Sequence, residues 1–379
     1  MYNTTPVSLD DAMKLAIAYL HSGIIPLFVS PPGTGKTTTV ERIAHEMGAT
    51  LRCLRLNSIP PEEALGLQYL DHETRRTIRY VPSWVPAEDG SDGPTLVFCD
   101  ELMQAPDEYR KGIMSALLER HLGDHRIPDN CMFIAAGNSV EDGSNVYELD
   151  RATADRFGII VIRPDFEIWA NGYAAEADVD PAIMGYLRMR PDNFDLTEDE
   201  NTRDKVIKPS PRSWIAVSRF IQHCRETGAG DDIIKAGLKG KLGEEIGDSL
   251  WTLIGTLEKL PSLERLLAMK PKEQAKHTPE SMDVMWAYGQ SMIWYAKSNE
   301  RILEIVDLFD AFEKKGELPI IECRSNVMET ILRRARSVHG FSVQDSPRIQ
   351  QDLKRWRAET KGEAGNENDR DPAQNLRAA

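Results

Sequence analysis

Five apolar runs, each shorter than an ordinary helix, punctuate the first 162 residues: Ile25–Val29, Leu51–Leu56, Leu96–Cys99, Cys131–Ala136 and Ile159–Ile162. They are built from Ile, Val, Leu and Phe and lack the alternation of a half-exposed strand, so each reads as a strand buried on both faces. Between them the periodicity is helical. Val40, Ile43, Ala44 and Met47 recur at i, i+3, i+4 and i+7, and Gly48 stops the run. Pro106 and Asp107 open a second helix whose buried face is Ile113, Met114, Leu117 and Leu118. Ser8, followed by Asp11, caps a helix ahead of the first strand. Strands that alternate with helices predict an α/β fold, a parallel sheet covered on both faces.

From about Pro164 the pattern changes, and helical periodicity dominates to about residue 358. Trp214, Val217, Phe220, Ile221 and Cys224 make one such stripe and read as core. The expected organisation is an α/β core over 1–165, a segment 166–208 without an assignable role, an all-helical region over 209–358, and a tail over 359–379. The tail has no aromatic residue and one large aliphatic, Leu376, and is expected to be disordered.

The segment SPPGTGK joins the first strand to the helix from Thr37 to Met47. A strand, a glycine loop and a helix in that order suit a bound phosphate chain. Gly33 and Gly35 let successive backbone N–H groups turn inward, and the helix adds the positive end of its dipole. Pro32, Gly33, Thr34, Gly35, Lys36, Thr37 and Thr38 are the expected nucleotide-binding residues. Lys36 would reach the β- and γ-phosphates, and the Thr37 hydroxyl would ligate Mg²⁺. Ser30 stands where the usual pattern begins with glycine; the penalty is modest if that position needs a positive φ, and no phosphate ligand is lost.

The run TLVFCDEL ends a strand in two carboxylates, Asp100 and Glu101. Hydrolysis of a nucleotide needs one carboxylate near the metal and another to polarise the attacking water. Asp100 is assigned to the metal and Glu101 to the water. Arg212 follows a helix-opening Ser210-Pro211, where a cation is disfavoured by the helix dipole, so an anion is expected opposite it.

The loop, then VFCDE, FIAAGNS, LDRATADRF and SPRSW, resembles the AAA+ ATPases and more closely their MoxR-like branch, over about residues 8–225. The resemblance implies a P-loop NTPase: a five-stranded parallel sheet in an αβα core, an all-α lid and a C-terminal helical region. It makes Asn138 the polar residue at the γ-phosphate or water, Arg156 the arginine finger for a neighbouring subunit, and Arg151 a second interface candidate. Arg212 becomes the lid arginine over the γ-phosphate. ATP and Mg²⁺ are the implied cofactors.

A finger shared between subunits implies a homo-oligomeric ring, most simply a hexamer. The segments HETRRTIRY and RHLGDHRIP are candidate hairpins, the first pore-facing. His121 and His125 lie in the second at i, i+4, but no acidic or thiol partner completes a metal set, so they are not read as ligands. The expected function is a chaperone-like ATPase that remodels or activates a partner protein, which the resemblance suggests carries a von Willebrand factor A domain. A nucleic-acid motor and a slowly hydrolysing nucleotide-switched scaffold are the alternatives.

Composition bears on that choice. Lys plus Arg is 46 and Asp plus Glu is 60, a net charge of −14, which counts against general nucleic-acid binding but not against a local basic channel. The 5 cysteines show no metal spacing and suggest reduced thiols, with Cys99 and Cys131 inside apolar runs. The N-terminus lacks the layout of a signal peptide, and no apolar run approaches the roughly 18–20 residues of a membrane span. A cytoplasmic protein is expected.

Overall fold

The computed structural model describes residues 4–138, 154–197, 199, 201, 205–313, 320–337 and 347–351. The chain forms two compact units. One comprises Met1–Ile168 with Asp195–Trp214, the other Trp169–Phe194 with Ile215–Ala379.

In the first unit the predicted strands appear as β1 (Ile25–Val29), β2 (Thr50–Arg55), β5 (Thr95–Asp100), β8 (Cys131–Gly137) and β9 (Phe157–Val161). They join in one five-stranded sheet ordered β2-β5-β8-β1-β9, and all its pairings are parallel. Successive side chains of a strand point to opposite faces, so each central strand feeds two cores. Leu27 and Val29 of β1 join Val97, Cys99 and Phe133 beneath Ile113, Ala116 and Leu117 of α4 (Asp107–Glu119), which follows the short α3 (Pro61–Leu65) in chain order. Phe28 turns the other way, with Leu96, Phe98 and Ile134. There it meets Ala12 and Ala16 of α1 (Leu9–His21) and Val40, Ile43 and Ala44 of α2 (Lys36–Glu46). Burial on both sides is why these strands carry no polar alternation.

Local signals act as their chemistry predicts. The Ser8 hydroxyl caps α1 by accepting from the Asp11 N–H at 3.2 Å. HETRRTIRY supplies the turn and second strand of a hairpin, β3 (Leu67–Asp71) with β4 (Arg76–Tyr80). RHLGDHRIP supplies a smaller one, β6 (His121–Leu122) with β7 (His125–Arg126).

The described part of the second unit is helical, as the periodicity after Pro164 predicts. Its centre is the helix Met282–Tyr295, buried from Val284 through Gln290 without a polar face. Two neighbours reach it through glycine. A Cβ on Gly185 would stand 2.4 Å from the Asp283 carbonyl oxygen, and one on Gly289 would stand 2.6 Å from Val327 Cγ2. No helix among the described residues is long and apolar enough to cross a membrane.

Candidate functional site

The carboxyl ends of β1, β5 and β8 lie side by side because the sheet is parallel and in register. Ligands of open α/β sheets bind at that end. Three of the predicted segments leave the sheet there: the glycine loop after Val29, the carboxylate pair at Asp100 and Glu101, and Asn138.

The loop is built for an anion. Gly33 and Gly35 have φ of 84° and 103°, in the left-handed region where a side chain is strained. A Cβ on Gly33 would also come within 2.9 Å of Ser210 Oγ and 3.2 Å of Arg212 Cβ. Gly35 sits at the N-cap of α2, which has neither a side-chain cap nor an acidic residue in its first turn. The backbone N–H groups of Gly33, Gly35, Thr37 and Thr38 make no hydrogen bond to any described residue. Helix-end donors left this way, at the positive end of the dipole, form an anion site. Pro32 and Thr38 are exposed at the loop surface, whereas Thr34 is buried and donates its hydroxyl proton to the Pro31 carbonyl.

Lys36 lies under the loop. Its ammonium donates to the Ser30 carbonyl at 3.0 Å, Ser30 Oγ at 2.9 Å, the Pro31 carbonyl at 3.2 Å and Asn138 Oδ1 at 3.2 Å. The lysine thus ties the loop to the end of β8, 102 residues away in sequence. Ser30 is not among the residues with positive φ, so the conditional backbone penalty for serine does not arise.

Asp100 ends β5. Burial raises its carboxyl above the ordinary value of 3.8; the Lys36 ammonium, the Glu101 N–H, Arg55 and Arg212 pull the other way without winning. One carboxylate oxygen accepts from the Glu101 N–H at 3.0 Å. A part-buried carboxylate short of compensating charge, with a threonine hydroxyl that makes no hydrogen bond to a described residue, is a fitting donor set for a hard, oxygen-seeking cation. Thr37 and Asp100 are the residues that would hold Mg²⁺. Among the described residues no group of three or more His, Cys, Asp and Glu forms a metal cluster.

Glu101 takes a conformation that glutamate rarely adopts. Its φ of 58° puts it in the left-handed region, at the N-cap of the short 3-10 helix Leu102–Gln104. That costs on the order of 1–3 kcal/mol and persists where the surroundings enforce it. The Glu101 carboxylate makes no hydrogen bond or ion pair to a described residue, so its lone pairs are open to a water.

The two arginines of the LDRATADRF segment differ in what can be said. Arg151 lies outside the described residues. Arg156 is exposed and immediately precedes β9, whose first residue, Phe157, pairs with Ile25 at the start of β1. The glycine loop leaves the far end of β1. From residue 25 to residue 30 is about 16 Å at strand rise, more than an arginine side chain spans. Arg156 therefore does not meet the loop of its own chain. Arg212, in contrast, is beside it: exposed, with its Cβ packed toward Gly33 and its charge felt at Asp100.

Two contributors went unnoticed in the sequence. Arg55 pairs in register with Asp100 and lowers its proton affinity, but no local signal names the strand that β2 will adjoin. Ser210 reads as a helix cap and does accept from the Ser213 N–H, yet its hydroxyl is also the nearest atom to the Gly33 bend.

Residues 26–165 match the model of one protein family, the ATPase family associated with various cellular activities (AAA). The matched segment is similar to that family's domain and lies within the first unit, whose five-stranded parallel sheet has a P-loop NTPase fold. No curated protein matches the sequence. Among solved structures, the RuvB Holliday junction branch migration motor of Thermotoga maritima is 16% identical over 72% of this chain and 75% of its own, with a TM-score of 0.34. NtrX of Brucella abortus in complex with ATP is 12% identical over 82% of this chain and 70% of its own, with a TM-score of 0.33.

Proposed function

We propose that this chain is a MoxR-like AAA+ ATPase that hydrolyses ATP with Mg²⁺ in a ring, most simply a hexamer, to remodel or activate a partner protein. The observation that carries the reading is the separation of Arg156 from the loop of its own chain. A cation 16 Å or so away along the sheet is useless within one subunit and well sited to complete a neighbour's centre.

The roles follow from the chemistry of each group. The inward-turned amides of the loop and the α2 dipole hold the phosphates, and Lys36 meets their negative charge. Mg²⁺, when bound, would offset charge on the β- and γ-oxygens from Thr37 and Asp100. Glu101 accepts a proton from the attacking water, Asn138 orients that water or the γ-phosphate, and Arg212 contacts the γ-phosphate. Arg156, with Arg151 as the second candidate, stabilises the transferring phosphoryl group of the adjacent subunit.

A protein partner suits the β3–β4 hairpin. Leu67, Leu70 and Tyr80 are 57%, 67% and 63% exposed there, more apolar surface than a solvated turn needs. Tyr69 and Tyr80 stack with centroids 4.7 Å apart on the same hairpin that carries Arg75 and Arg76 at its turn end, which keeps a single-stranded nucleic acid as the second reading. The net charge of −14 weighs against it. A partner with a von Willebrand factor A domain is the specific form of the first reading that the resemblance suggests.

The test is steady-state hydrolysis. Lys36→Ala should abolish Mg²⁺-dependent turnover and weaken nucleotide binding, while Glu101→Gln should reduce turnover at least about 100-fold with binding retained. Turnover untouched by Glu101→Gln would remove the water-polarising role. Stimulation by single-stranded DNA or RNA that fades with salt would favour the second reading.

A further inference from the structure

We infer that Ser30 is a positioning residue that sets nucleotide affinity by competing with phosphate oxygens for the Lys36 ammonium. The inference rests on the nucleotide reading of the loop.

An ammonium has three protons to donate. Within 3.2 Å of Lys36 Nζ lie the Ser30 carbonyl, Ser30 Oγ, the Pro31 carbonyl and Asn138 Oδ1, so its donors are fully subscribed by protein oxygens. Ser30 Oγ is the nearest of the four, at 2.9 Å. A phosphate oxygen gains a Lys36 proton by displacing one of these acceptors.

The Ser30 hydroxyl is held with its lone pair toward Lys36. Thr34 has one hydroxyl proton and donates it to the Pro31 carbonyl, so Thr34 Oγ1 faces Ser30 Oγ as an acceptor. The Ser30 proton goes to Thr34 Oγ1 or to the Pro31 carbonyl at 3.1 Å, never to the lysine. Ser30 is 1% exposed and Lys36 9%, so water does not stand in for the hydroxyl. The bond is charge-assisted and buried, the kind that contributes most.

Glycine in this slot would leave Lys36 the two carbonyls and Asn138 but remove the Ser30 hydroxyl. Because the backbone of Ser30 is not left-handed, the difference between the residues is the hydroxyl and not the turn. Among the four acceptors, Ser30 Oγ alone is removed by changing residue 30. The serine acts on the phosphate through Lys36.

The experiment measures binding of a fluorescent methylanthraniloyl-ADP to the full chain, with KM for Mg-ATP measured in parallel. Ser30→Ala and Ser30→Gly should both bind at least about tenfold more tightly, the share of one hydrogen bond to a charged group. KM should fall and kcat should not rise. Ser30→Thr, which keeps the hydroxyl, should stay within about twofold of the native protein. A loop merely damaged by substitution would bind more weakly, so the sign separates the two. Unchanged or weaker binding in both Ser30→Ala and Ser30→Gly overturns the competition. A native protein that does not bind the probe at all overturns the nucleotide reading instead, a separate result.

Discussion

Asp100 and Glu101 are neighbours with opposite circumstances. Asp100 is half buried at the end of a strand with its carboxyl raised, mainly by lost solvation. Glu101 holds, in a strained left-handed backbone at the start of a 3-10 turn, a carboxylate that pairs with no described residue. The raised value at Asp100 has a sign that can be measured. Above the ordinary value of 3.8 the unfolded chain gives up this proton while the folded chain still holds it. Folded stability from this group therefore falls as pH rises through that interval and is level above the folded value. Asp100→Asn has no proton to lose there. Its stability relative to the native protein, followed by urea denaturation from pH 4 to pH 7 without divalent cation, should improve as pH rises and then level off. A constant difference across that range would mean that burial does not dominate at Asp100. Adding Mg²⁺ with nucleotide should stabilise the native protein more than Asp100→Asn, since the aspartate is a proposed ligand.

Elements were legible where burial writes a one-dimensional pattern. The five core strands announce themselves because a strand covered on both faces is a short unbroken apolar run, and α1, α2 and α4 because one face must repeat near i+3 and i+4. What the chain does not spell is which strand lies beside which. The order β2-β5-β8-β1-β9 brings Arg55 against Asp100 and Asn138 over Lys36, contacts set by pairings between residues far apart in sequence. Glu101 carries no sign of its left-handed backbone, since that is imposed by the turn after β5. The same holds for helix packing. Nothing local marks Gly185 as a contact point, yet the helix Pro181–Met189 approaches the Met282–Tyr295 backbone so closely that a methyl group would meet Asp283 O at 2.4 Å and Ala287 N at 2.9 Å. Backbone cannot swing aside as a side-chain end can. Gly185→Ala should cost about 1–3 kcal/mol by overpacking, read as a lower denaturation midpoint, with nucleotide affinity at the glycine loop unchanged. Native-like stability would show that the two helices slide apart at little expense.

At the scale of the whole molecule, the question is whether one chain suffices. Lys36, Asp100 and Asn138 share one end of the sheet with Glu101 and Arg212, while Arg156 stands at the other end of β9. If the arginine completes a neighbouring site, each active centre draws on two chains, and two differently crippled chains can repair one another. A subunit with Lys36→Ala offers no working loop but a sound arginine. A subunit with Arg156→Ala offers the reverse. In a mixed ring, wherever the first presents its Arg156 to the loop of the second, a complete centre exists. Each variant alone should show a turnover at least about 100-fold below native, given what such a cation contributes to phosphoryl transfer. Mixing should restore turnover to a fraction that passes through a maximum near equal proportions, because the number of productive neighbour pairs does. An Arg156 that worked within its own chain, or served only as a surface charge, would give no recovery at any ratio. Because Arg151 lies in the same segment, the parallel mixture of Lys36→Ala with Arg151→Ala assigns the role between the two arginines. Recovery in one mixture only, with the other arginine variant active by itself, identifies the residue that crosses the interface.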